Sequence, residues 1–146
     1  MLLTKECDYG IRIIRALACG MKKNVEAICQ AEQIPVQYSY KILNKLEKAG
    51  FLQSLRGRAG GYRLIKSIHD FTLYDVIVAV DSNLFLTECL RIDKNCPRNT
   101  DESPCAVHQE YTSIQEVLIK SLRRKSVHDV MHSIDNANGD DYANYV

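Results

Sequence analysis

Val36-Gln37-Tyr38-Ser39-Tyr40-Lys41-Ile42-Leu43-Asn44-Lys45-Leu46-Glu47-Lys48-Ala49, then Gly50, then Phe51-Leu52-Gln53-Ser54-Leu55-Arg56-Gly57-Arg58-Ala59-Gly60-Gly61-Tyr62-Arg63-Leu64-Ile65, is the stretch on which the fold turns. Ile42, Leu43, Leu46 and Ala49 repeat at helical spacing and define an inward face. Gln37, Lys41, Asn44 and Lys48 fall at i, i+4, i+7 and i+11 on the opposite face, with Tyr38 and Tyr40 near its N-terminal end. That outer face carries amide and ammonium groups and no acid, a set able to reach base edges and phosphates. A solvated helix face is the plainer reading. Phe51–Leu55 and Tyr62–Ile65 read as two strands joined by a glycine-rich turn. Arg56, Arg58 and Arg63 place three guanidiniums on this small hairpin, which suits a minor groove. A nucleotide-phosphate loop is the rival, but neither GxGxxG nor the Walker pattern is present.

Upstream, Thr4 is placed to cap a helix carrying Cys7, Ile11, Ile14, Leu17 and Ala18, with Gly20 as its stop. Asn24 is placed to cap a second, with Val25, Ile28 and Cys29, and Gln33-Ile34-Pro35 makes the turn into the third. Three short helices followed by a hairpin describe a winged helix-turn-helix: mainly α, with a small β wing.

Downstream, Thr72 opens a helix over Leu73–Val80 with Val76, Ile77 and Val80 inward. Residues 81–105 lose periodicity and collect turn formers and cysteines. Ser103-Pro104 is a good helix entry, serine capping and proline at the first position. Val107, Tyr111, Ile114, Leu118 and Leu122 then form a stripe able to pack on a partner helix as a dimer contact; packing within the chain is the alternative. Ser126-Val127-His128-Asp129 resembles a capping box for a last helix with Val130, Met131 and Ile134. The expected organisation is a DNA-binding domain over 1–80, a cysteine-rich loop over 81–105, dimerisation helices over 106–135 and a flexible tail over 136–146.

Charge follows the same division. Residues 1–68 hold 12 Lys/Arg against 5 Asp/Glu and residues 69–146 hold 7 against 13, although the whole chain is only +1. A basic front half and an acidic back half suit a phosphate-binding module joined to a sensing or assembly module. No apolar run reaches membrane-spanning length, and the N-terminus meets charge at once, so a cytoplasmic location is expected. No nucleophile–base pair, paired acids or cofactor motif suggests an enzyme.

In such a compartment six cysteines are not a disulfide framework. Cys19 and Cys29 sit in apolar helical patterns and are expected to be core residues; Cys7 is either packed or a reactive or reserve thiol. Cys89-x6-Cys96-x8-Cys105-x2-His108 looks like a set of ligands, because thiolates suit iron–sulfur clusters and zinc. The lack of a CxxC pair weakens a zinc ribbon without removing a Cys3His site. His128 and His132, at i and i+4, permit metal binding but read better as surface.

The order of parts resembles the Rrf-type winged-helix transcription regulators (the IscR, NsrR, RirA and CymR group), in particular the cluster-binding branch. The resemblance rests on Leu3-Thr4-Lys5-x-x-Asp8-Tyr9-Gly10-Ile11-Arg12, Arg56-Gly57-x-x-Gly60-Gly61-Tyr62-x-Leu64, Asp75-Val76-Ile77-x-Ala79-Val80-Asp81 and Cys105-x-x-His108, over about residues 1–134. It implies a homodimer reading a pseudo-palindromic double-stranded operator, with Gln37, Tyr38, Tyr40 and Lys41 toward bases and Arg56 and Arg58 on the minor-groove wing. It also implies an iron–sulfur cluster on Cys89, Cys96 and Cys105, sensing redox state, nitric oxide or cluster status. The fourth ligand is Asp8 from the partner subunit, with a 4Fe–4S cluster favoured, or His108, with a 2Fe–2S cluster. The cysteine spacings are longer than in IscR, and Tyr40 and Lys41 differ from its residues, so its operator preference does not transfer. A thiol- or zinc-based regulator without a cluster, or one controlled by a protein partner, is the alternative.

Overall fold

Thr4, itself extended, accepts a hydrogen bond from the Cys7 N–H through its hydroxyl and so caps α1 (Lys5–Leu17). The computed structural model describes residues 3–91 and 96–133. Asn24 caps α2 (Val25–Glu32) through the Ala27 N–H. Gln33 in the left-handed conformation and Pro35 then turn the chain into α3 (Val36–Lys48). The cysteine at position 29 and the serine at position 39 meet in the buried seam between α2 and α3, Sγ to Oγ 3.0 Å, fixing one helix on the other.

β1 (Leu52–Leu55) and β2 (Gly61–Leu64) pair antiparallel, Leu52 opposite Leu64 and Leu55 opposite Gly61. The wing root is tied to the α1–α2 connection by Lys23 and Tyr62, which exchange both backbone hydrogen bonds at 2.9 and 2.8 Å. Gly61 permits this approach: its φ is +152°, and a Cβ there would stand 2.5 Å from the Lys23 carbonyl oxygen.

A capping box of Thr72 and Asp75 starts α4 (Leu73–Val80), and a second, of Ser126 and Asp129, starts α6 (Val127–His132). The two boxes lie together, since Thr72 and Ser126 form a β-bridge and the Val127 N–H donates to the Phe71 carbonyl at 2.9 Å. Val127, 1% exposed, enters the main core with Ile13, Ile14, Leu17, Ile28, Ile42, Leu43, Leu46, Val76 and Val80. A smaller cluster of Cys7, Ile77 and Leu84 receives Leu122 from α5 (Ala106–Arg123), joining the head to the long helix. Among the described residues no helix is long and apolar enough to cross a membrane.

Four expectations need correction. Ala49 is exposed, because α3 stops at Lys48 and the chain turns away at Gly50. Cys19 is also exposed, since α1 ends at Leu17 and position 19 lies beyond its packed face. Ser103-Pro104 does not open α5. The Cys105 N–H is held by Asn99 Oδ1 at 2.9 Å and the Ser103 N–H by Thr100, so the turn runs two residues further and Cys105 takes the cap position. His128 is half-buried rather than free surface, stacked between His69 and His132 with ring centroids 3.8 and 4.2 Å away. Ile134 and the tail lie outside the described residues.

Leu46 is fully buried where α3 meets the other helices. Leu46→Ala should lower unfolding stability by about 2–5 kcal/mol, read as a reduced denaturant midpoint with an unchanged slope.

Candidate nucleic-acid interface and cysteine-lined cavity

The third helix buries Ile42, Leu43 and Leu46 in the core, and Gln37, Tyr38, Tyr40, Lys41, Asn44 and Lys48 all stand exposed. Its one acid, Glu47, is turned to the hairpin, where it accepts from the Ser54 N–H and hydroxyl at 2.7 and 2.6 Å. Those bonds hold its carboxyl below the usual range. Arg56, Arg58 and Arg63 are exposed on the wing. Beside them the structure brings two cations not anticipated from the sequence. Lys22 donates to the Ala59 carbonyl at 2.6 Å, and Lys23 is the wing-root partner of Tyr62. Both sit in a loop far upstream, so only the tertiary fold reveals them.

Lys41 is not a free cation. Its ammonium meets Glu6 Oε1 at 2.8 Å, and Lys45 meets Glu6 Oε2 at 2.8 Å. The two lysines hold the Glu6 carboxyl below its usual value.

An open cavity of about 560 Å³ is lined by Cys89, Cys96 and His108, with Arg91, Asn99, Thr100 and Asp101 among its other walls. Two thiols and an imidazole are thus brought to one space. His108 lines this space, and its Nδ1 is buried with no hydrogen-bond partner among the described residues, an arrangement that is costly unless something binds it. Cys105, one turn before His108, is half-buried at the helix cap and does not line the cavity among the described residues. Asp8 is likewise outside this chain's cavity, exposed on α1 and paired with Arg12 at 2.9 Å. Among the described residues no three Cys, His, Asp or Glu side chains converge on a single-ion site. Thiolates and an imidazole are donors suited to an iron–sulfur cluster and to zinc alike.

The loop before the cavity is fastened by Gln115, the one buried residue of α5. Its amide donates to the Leu84 carbonyl at 2.9 Å and accepts from the Leu86 N–H at 2.8 Å. On the α5 stripe, Val107 and Ile114 are exposed, Tyr111 and Leu118 are half-buried, and Leu122 packs within the chain. Val117, outside the expected stripe, is 64% exposed and widens the bare apolar surface.

A family model described as Rrf2, iron-dependent transcriptional regulator, matches residues 3–133. The chain belongs to the Rrf2 family. This Rrf2 chain is 31% identical over 98 residues to the HTH-type transcriptional regulator NsrR of Shouchella clausii, covering 65% of this chain and 66% of that one. It therefore spans just under two thirds of that relative. It is 28% identical over 134 residues to the protein rrf2 of Nitratidesulfovibrio vulgaris, covering 90% and 87% of the two. The global cysteine regulator CymR of Bacillus subtilis superposes with a TM-score of 0.71 at 20% identity, over 89% of this chain and 95% of that one. At that identity the likeness is one of fold. The Rrf2 winged-helix expectation is borne out, and the family is one of transcription regulators rather than enzymes.

Two outcomes follow from these contacts. Gln115→Leu leaves the Leu84 carbonyl and Leu86 N–H unpaired, so amide exchange at Leu86 should accelerate well beyond that of the α3 core. Because the Glu6 carboxyl is held low in the folded state, its stabilising contribution is present above the ordinary glutamate range, about 4.5. It is lost as pH falls through the folded value. Thermal melts between pH 5 and about 3 should thus fall less steeply for Glu6→Gln than for the unmodified protein.

Proposed function

We propose that this Rrf2-family chain is a homodimeric regulator that reads double-stranded DNA with α3 and the wing and holds an iron–sulfur cluster at its cysteine loop. The proposed units are residues 1–80 for reading DNA, 81–105 for the sensor, 106–135 for dimerisation and 136–146 as a tail. The observation that carries the sensor reading is that His108, whose buried Nδ1 has no hydrogen-bond partner among the described residues, lines the same space as Cys89 and Cys96. It supports His108 as the fourth ligand beside Cys89, Cys96 and Cys105, and with it a 2Fe–2S cluster. Asp8 from the partner subunit, with a 4Fe–4S cluster, is the competing assignment; here its carboxylate is already engaged by Arg12. When bound, the cluster supplies chemistry that oxidants or nitric oxide alter.

The chain's own part is mechanical. Cys89 and Cys96 line the space beside His108 of α5, while Gln115 holds residues 84–86 on the same helix. Leu84 and Leu122 in turn pack with Cys7 of α1, so the loop, the long helix and the head share one contact. The bare face of Val107, Ile114 and Val117, with Tyr111 and Leu118, is the proposed dimer seam. Altering the loop then shifts α5 and the spacing of two reading heads, biasing an equilibrium rather than building a new surface.

Reconstitution with iron and sulfide under anaerobic conditions, on His108→Ala and Asp8→Ala in parallel, decides the ligand. His108→Ala should lose or shift the visible absorption, with Asp8→Ala unchanged; the reverse result assigns Asp8. A colourless wild-type protein leaves a thiol or zinc regulator in place of the cluster. On the DNA side, Arg58→Ala should reduce the slope of log affinity against log salt by about 0.9 on a duplex of any sequence. An unchanged slope would take the wing off the backbone.

A further inference from the structure

Glu6 is the acid that faces the outer side of the third helix, and it does so from a different element. It stands in the first turn of α1, and its two oxygens divide between two lysines of α3. The lysines are not equivalent. Lys45 is 32% exposed and also donates to the Val80 carbonyl at the end of α4 at 2.6 Å, so it is anchored twice. Lys41 is 63% exposed and has Glu6 as its one acceptor among the described residues, beside the exposed Gln37 and Asn44. A carboxylate at hydrogen-bond distance from an ammonium on a DNA-facing helix stands where a phosphate oxygen would stand.

We infer that Glu6 is a built-in phosphate mimic that occupies Lys41 in the free protein, so that duplex DNA gains Lys41 only by displacing it. The inference rests on the reading of α3 as the DNA-facing helix. The pair is exposed enough to exchange, since surface ion pairs contribute little in water and are screened by salt. It is an attenuator rather than a lock. Each encounter with DNA must give up the Glu6–Lys41 contact, which lowers affinity for all sequences equally. A site whose other contacts are good overcomes that deduction, and an indifferent one does not. Lys45 keeps the carboxylate in place while Lys41 leaves, because its second acceptor on α4 does not depend on Glu6. Asp81, at the end of α4, is the other acid acting on Lys41, through space rather than by direct contact.

The test is binding of a mixed-sequence 30-base-pair duplex, at one fixed salt concentration, by the full chain and by Glu6→Gln, Lys41→Gln and the double variant. Glu6→Gln should bind about 2- to 5-fold more tightly. That gain should vanish when Lys41 is also glutamine. An unchanged or weaker affinity in Glu6→Gln, with melting temperature maintained, overturns the inference. So does a gain that persists without Lys41, which would mean only that one negative charge had been removed near DNA. If Glu6→Gln melts early, Glu6→Asp serves instead: its shorter carboxylate cannot span both lysines, and the same dependence on Lys41 is expected. A wild-type protein that binds no duplex overturns the DNA-facing reading of α3 and this inference with it. Wild-type binding without the Lys41-dependent gain overturns the inference alone.

Discussion

Helix α1 lies directly against α4, and the closeness of that crossing governs what both ends of the molecule can do. Gly10 sits at the contact, where an added Cβ would come within 2.7 Å of Val80 Cγ2. A larger residue there would force Val80 or the helix crossing to shift, beside the α3 packing of Ile42, Leu43 and Leu46. The first turn of α1 is thereby brought to the C-terminal end of α4. There Glu6 gathers Lys41 and Lys45, and Lys45 reaches the last carbonyl of α4. A cation at that end also meets the negative pole of the helix. The outward face of α3 is consequently held by its inward packing and by one carboxylate from a neighbouring helix.

The same crossing sets the path to the cysteine segment. Val80 ends α4, and the chain leaves through Leu84, buried against Cys7 and Ile77, before Gln115 takes hold of the backbone at residues 84 and 86. A glutamine in that place is a demanding choice. Its donor and acceptor must both be matched, or the buried amide becomes a liability. Satisfied as it is, it fixes the distance from the reading head to the proposed sensor loop without a strand or a covalent link. The wing root is tied to the α1–α2 connection in a similar manner, by a pair of backbone hydrogen bonds between Lys23 and Tyr62 that a glycine at position 61 allows.

Much of this was legible in the sequence because it is local. The caps at Thr4, Asn24, Thr72 and Ser126, the inward stripe of α3 and the hairpin over residues 52–64 depend on spacing and side-chain chemistry within a few residues. What escaped is long-range. Lys22 joins the wing tip across 37 residues, and Glu6 reaches Lys41 across 35. Neither partner carries a local mark of the other. The entry to α5 was misplaced for a different reason: Ser103-Pro104 is a sound local signal, but Asn99 captures the Cys105 N–H and delays the helix. Cys19 looked apolar by pattern and lies outside because its helix had already ended. For the proposed sensor, the sequence supplied Cys89, Cys96 and Cys105 with Asp8 or His108 as candidates, and only the fold added that Cys89, Cys96 and His108 line one space while Cys105 and Asp8 do not, the His108 Nδ1 having no partner among the described residues.

If the loop and the reading head are coupled through α5, filling the cysteine-lined cavity must change how the protein binds DNA. The most direct measurement is the affinity for one genomic duplex, selected by pull-down, of the same preparation before and after anaerobic reconstitution with iron and sulfide, at constant salt. A change in affinity of about fivefold or more is expected, the scale of ordinary coupling between sites, abolished by Cys96→Ser. Equal affinities for a protein shown by its absorption to have taken up the cluster would contradict it.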